Sequence, residues 1–177
     1  MLLAQTSSRA RAAHMQHAAR YHIIGFANQN PAYSRKMSEK LDEILKRFKD
    51  DWDALERELR KFVEELRQGD RSDFPDLDPT TQVPFVRLVM ESASKSGEVT
   101  EGERKSVIAV TLKVVERLRH EIRKVGFWKN KDMRSAVAKA IYRDLDAAGT
   151  CPAVEREELA QRLVSLAKEN HENLTRP

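Results

Sequence analysis

The stretch Thr100-Glu101-Gly102-Glu103-Arg104-Lys105-Ser106-Val107-Ile108-Ala109-Val110-Thr111-Leu112-Lys113-Val114-Val115-Glu116-Arg117-Leu118 decides the fold class. Its β-branched residues between 107 and 115 favour extended chain by propensity. Two features overrule that preference. Thr100 and Glu103 have the spacing of a capping box, in which each side chain satisfies an amide at the start of a helix. Beyond the box, Val107, Val110, Thr111, Val114, Val115, Leu118, Ile122 and Val125 recur every three or four residues and do not alternate. With Ile108 and Leu112 the apolar face becomes wide. This segment is therefore expected to be the central buried helix.

The same helical period extends outward in both directions. Towards the C-terminus, Gly126-Phe127-Trp128 interrupts the pattern and Asn130 can cap a following helix. The stripe there is Met133, Val137, Ile141 and Leu145, and Gly149 closes it. Pro152 is expected to start the last helix, which carries Val154, Leu159, Leu163, Leu166 and Ala167. Towards the N-terminus, a short helix from about Pro84 carries Phe85, Leu88, Val89 and Met90 and stops near Gly97. Before it, the stretch Gly69 to Pro79 is acidic, holds two prolines, and is the one long loop candidate, with mobility expected. Asp51 caps the stripe Trp52, Leu55, Leu59, Phe62, Val63 and Leu66. Asn30-Pro31 opens the stripe Met37, Leu41, Ile44, Leu45 and Phe48. Ser8 is the expected cap of a first helix holding Ala12, Met15, Ala19, Ile23 and Phe26. The expectation is an all-α fold over 1–177, a single compact domain of about seven helices with no sheet. It comprises a first helical part over 8–69, an acidic loop over 70–83 and a second helical part over 84–174.

Composition excludes several classes. The chain has 177 residues, of which 34% are charged, with six glycines, six prolines and one cysteine. Cys151 alone cannot make a disulfide scaffold or a multi-thiolate zinc site. No apolar run approaches the roughly 18 residues of a membrane span. Met1 to Gln5 is too short for the core of a signal peptide. A soluble, cytoplasmic chain is expected. Glycines 25, 69, 97, 102, 126 and 149 never cluster, so there is no phosphate-cradling loop.

Other motifs carry little chemistry. His14, His17 and His22 share a helix, but His22 points well away from His17 and no carboxylate completes a metal site. Cys151 precedes a helix start but has no histidine partner nearby in the sequence, and reads as an ordinary small residue. Pro75-Asp76 with Glu103-Arg104-Lys105 spells a nuclease-like pattern. Such residues work from adjacent strands, whereas on a helix Glu103 and Lys105 point about 160° apart.

Charge is uneven along the chain. Residues 100–131 hold nine basic and four acidic residues, while 70–99 hold three basic and six acidic. The basic segment is expected to be a solvated helix face, or else a face for an acidic partner or nucleic acid. Phe127-Trp128 lies among Arg123, Lys124, Lys129 and Lys131. The pair either plugs a helix corner or offers an anchor to a partner. Lys113, Arg117, Arg123, Lys124, Phe127, Trp128 and Lys129 are the candidate contacts to a partner or nucleic acid.

Several segments together resemble a known family. Arg9-Ala10-Arg11-Ala12-Ala13-His14-Met15-Gln16-His17-Ala18-Ala19-Arg20-Tyr21-His22-Ile23 resembles the region just after the helicase-like domains in the restriction (motor, R) subunit of type I restriction–modification enzymes. Asn30-Pro31-Ala32-Tyr33-Ser34, Leu41-Asp42-Glu43-Ile44-Leu45, Val125-Gly126-Phe127-Trp128-Lys129-Asn130 and Leu163-Val164-Ser165-Leu166-Ala167-Lys168-Glu169-Asn170-His171 resemble later parts of it. The order and spacing of these segments, from Ser8 to Leu174, carry the resemblance. It implies a C-terminal helical domain cut from an ATP-dependent type I site-specific deoxyribonuclease. The parent's nuclease and motor domains use Mg and ATP. The resemblance implies that this fragment holds no catalytic, cofactor or metal residues, and docks the motor onto the methyltransferase and specificity subunits. The alternative expectation is a helical DNA-contacting module using residues 100–131. No membrane partner is expected.

Overall fold

A computed structural model describes residues 7–69 and 73–176 of the chain. Among these residues there are eight α-helices, two short 3₁₀ turns and no strand. The all-α expectation holds. No helix among the described residues is long and apolar enough to cross a membrane. The helices divide into two compact units, one of residues up to 27 with 33–73, the other of 28–32 with 74 onwards.

The first unit is built from α1 (Ser8–Gly25), α2 (Pro31–Arg47) and α3 (Trp52–Gln68). The side chain that caps α1 is Ser7, not Ser8: its hydroxyl accepts the Ala10 amide at 3.3 Å. Adjacent serines offer the same chemistry, and only the backbone path chooses between them. Asp51 caps α3 as expected, accepting the Ala54 amide at 2.9 Å. Gly69 ends that helix at φ 71°, a conformation glycine adopts without a Cβ penalty. The core joins Ala12, Ala19 and Ile23 of α1 to Met37 and Leu41 of α2 and to Leu55, Leu59 and Phe62 of α3. Alanine at 12 and 19 lets the backbone of α1 approach its neighbours closely. Ion pairs lie over this core: Arg11–Glu56 at 2.9 Å and Arg20–Asp42 at 3.1 Å.

The second unit contains α4 (Val83–Ser94), α5 (Glu101–Ile122), α6 (Lys131–Ala148), α7 (Arg156–Glu169) and α8 (His171–Thr175). The capping box is present: Glu103 accepts the Thr100 amide at 2.8 Å, and Thr100 accepts the Glu103 amide at 3.3 Å. Glu103 is thus committed to the cap, away from any nuclease-like role. α5 is central, with Val107, Val114, Val115 and Leu118 fully buried. Thr111 is buried too, and its hydroxyl donates to the Val107 carbonyl at 2.7 Å. That bond removes the cost of burying a polar atom.

Several boundaries differ from expectation. α5 stops at Ile122, so Val125 is wholly exposed and does not continue the apolar face. α4 begins at Val83 and ends at Ser94, short of Gly97. Pro152 does not start the last helix. It leads into a 3₁₀ turn over Ala153–Glu155, and α7 begins at Arg156. The turn follows from its anchors: Cys151 is buried, and Glu155 accepts a hydrogen bond from Ser92 at 2.8 Å and pairs with Lys95 at 2.9 Å. Val154 is left exposed. A further short helix, α8, follows α7, and at their junction the Asn170 side-chain amide donates to the Leu166 carbonyl at 3.0 Å.

The acidic loop was expected to be mobile; its residues 70–72 lie outside the described residues. From 73 onwards it is tied down. One Asp78 carboxylate oxygen accepts from the amide and hydroxyl of both Thr80 and Thr81. Arg119 donates to the Thr81 hydroxyl at 2.9 Å. Phe74 is buried, with the Arg87 and Arg104 guanidiniums 5.4 and 4.5 Å from its ring centroid.

Candidate functional site

The basic segment does not form one open face. At about 100° per residue, Arg104 and Arg119 lie on one side of α5 while Lys113 and Arg117 lie well round the other. Lys113 and Arg117 are committed internally: they hold Asp144 of α6 at 2.7 and 2.9 Å. Burial pulls the Asp144 carboxyl upward, but hydrogen bonds from Lys113 and Arg117 outweigh it and hold the group below its ordinary range. Lys124 pairs with Glu121 at 2.7 Å. Arg123 and Lys129 are exposed.

The aromatic pair splits into two roles. Gly126, at φ 77°, turns the chain after α5. Phe127 is 1% exposed and sits in the core. It plugs the corner and is not an anchor for a partner. Trp128 is half-buried and packs edge-on to Phe127, with centroids 4.8 Å apart. Its indole N–H donates to Nδ1 of His171 at 3.2 Å, and Arg134 donates to its carbonyl. Trp128 is thus fixed in place while part of its ring stays accessible.

That accessible part ends a groove between α6 and α7. The two helices run antiparallel, so Arg134 and Ser135 lie near Ser165, Ala138 near Gln161, and Tyr142 near Glu157. Their inner residues, Val137, Ile141, Leu159 and Leu163, are buried in the core. On the outer side Ser135 and Ala138 are small and leave space above the buried Ala160. Two adjoining hollows result, of about 300 Å³ at the Tyr142 end and about 440 Å³ at the Trp128 end. Of the residues lining these hollows, only Trp128 was a candidate contact from the sequence. The available signal was the small-residue line beside the apolar stripe of α6.

The outer face of α1 is a second surface. Ala10, Ala13, His14, His17, Tyr21 and Ile24 are all exposed, and they lie within about 60° of one line opposite the buried side. Tyr21 is 78% exposed and Ile24 72%. The cations of α1 lie off this line. Arg11 and Arg20 hold Glu56 and Asp42, and Arg9 stacks over Trp52 at 5.2 Å.

Cys151 is buried, its Sγ 3.8 Å from the Val89 carbonyl, and burial pushes the thiol's pKa up. That environment suits an inert packing residue. Among the described residues, no group of three His, Cys, Asp or Glu side chains is placed to hold a metal ion. The chain matches no protein-family model, no curated protein and no solved structure.

Proposed function

We propose that the chain is a non-catalytic helical domain of a type I restriction enzyme R subunit. Its role is to dock the ATP-dependent DNA translocase and endonuclease onto the methyltransferase and specificity subunits. The family reading starts from the resemblance of the segments at 9–23, 30–34, 41–45, 125–130 and 163–171. The observation that supports docking is the outer face of α1. A solvated helix face normally carries charge, whereas the core of a protein interface is depleted of it and enriched in aromatics. Here Tyr21 and Ile24 stand in solvent on a stripe free of Asp, Glu, Lys and Arg; Tyr21 lies within the first segment of the resemblance and Ile24 directly follows it. In this reading ATP and Mg act on the parent's other domains.

Size-exclusion chromatography with the cognate methyltransferase–specificity complex tests the reading. Co-elution is expected. Replacing Tyr21 and Ile24 together by Asp is expected to weaken binding by at least about tenfold, with circular dichroism unchanged. A chain that never co-elutes overturns the docking role.

A further inference from the structure

The groove between α6 and α7 carries an unbalanced rim. Arg134, Lys139 and Lys168 line it, and none of them enters an ion pair among the described residues. Some cations of the same unit are matched, while others, such as Lys105, Arg123 and Lys129, likewise enter no ion pair among the described residues. Lys95, Lys113, Arg117 and Lys124 each hold a carboxylate within 3 Å. The charge along the groove is also graded. Arg134 and Lys168 stand at the Trp128 end, and Lys139 lies nearer Tyr142, where Glu157 supplies the only anion of the lining.

The floor sets the shape of what fits. Ser135 and Ala138, over the buried Ala160, allow a third helix to approach closely, as small residues do wherever helix backbones come near each other. Backbone amides and carbonyls in the walls are used within α6 and α7, so an extended peptide finds no strand edge to pair with. From Arg134 to Tyr142 the wall runs roughly 12 Å, which matches two to three turns of an added helix. A phosphate backbone lying along the groove would meet Glu157. The Trp128 ring is fixed by Phe127 and His171, as suits an anchor that packs without rearranging.

We propose that this groove receives an amphipathic helix of a partner protein. Its narrow apolar stripe packs on Ala138 and Trp128, and its carboxylates meet Arg134, Lys139 and Lys168. This site is independent of α1 and of the identity given to the parent enzyme.

The test uses the full chain with Trp52→Phe, which leaves Trp128 as the sole tryptophan. Two stapled helical peptides share an alanine–leucine stripe. One carries flanking glutamates and the other flanking lysines at the same positions. The glutamate helix is expected to change Trp128 emission saturably, and the lysine helix to leave it unchanged. Lys139→Glu with Lys168→Glu is expected to weaken the glutamate helix by at least about tenfold and to admit the lysine helix. Both substitutions are on exposed positions, so the fold is retained. Silence of Trp128 towards the glutamate helix, or equal responses to both helices, overturns the proposal. So does a duplex DNA oligonucleotide that displaces the glutamate helix.

Discussion

Asp144 shows how a single residue redirects a charge pattern. It is 9% exposed, and it takes hydrogen bonds from Lys113 and Arg117 on the neighbouring helix. Asp144→Asn is expected to lower stability by about 1–3 kcal/mol, because charge-assisted bonds are weakened in a partly buried place. The urea midpoint measures it. The pH dependence has a definite sign. The Asp144 carboxyl lies below its unfolded range, so its contribution is fully present above that range. It is lost as pH falls below about 4, towards the lower folded value. Asp78 behaves alike: burial pulls it up, the bonds from Thr80 and Thr81 pull it down further, and the net shift is downward. Stability should therefore be level from pH 7 to about 5 and fall on the acid side, more gently in the Asp144→Asn variant. Local capping was legible in the sequence because Asp51, Asn130 and the Thr100–Glu103 pair act within three residues. The partner of Lys113 and Arg117 was not. It lies 27 positions beyond Arg117, and only the packing of α5 on α6 brings it near.

At the scale of the element, helix interiors followed the period of their apolar residues, while the ends that departed from it, such as the start of α7, followed tertiary partners. The stripe of α6 was readable as Val137, Ile141 and Leu145, all buried. The start of α7 was misread because Pro152 resembles a first-turn proline, while Cys151 and Glu155 are drawn to α4. The groove was hidden for a related reason. Periodicity marks which face is buried, and says nothing about space left between two outer faces. Two elements depend on single end residues. Asn130 accepts the amides of Asp132 and Met133 at 2.9 and 3.1 Å. Asn130→Ala should cost about 1 kcal/mol in thermal unfolding. Gly126→Ala should cost roughly as much, because φ 77° disfavours any residue with a Cβ. Its mark would be altered Trp128 fluorescence, since Gly126 sets the turn that carries that ring.

For the whole molecule, net charge is a poor guide to partners. A value of +4 suggests an affinity for nucleic acid. The structure commits much of the basic segment to Asp144, Glu121 and Glu116. Duplex DNA should therefore be retained only weakly at physiological salt, with a shallow salt slope. A fluorescence-anisotropy titration checks this, and tight binding with a steep slope would revive the DNA-contacting module. The cysteine has a use that its chemistry alone does not suggest. It is the one thiol of the chain, and it is sealed between α4 and the turn before α7. Its alkylation is expected to follow the opening of that unit. Its labelling rate, followed against denaturant, is thus a clock for the breathing of the second unit, with no other sulfhydryl to blur the reading.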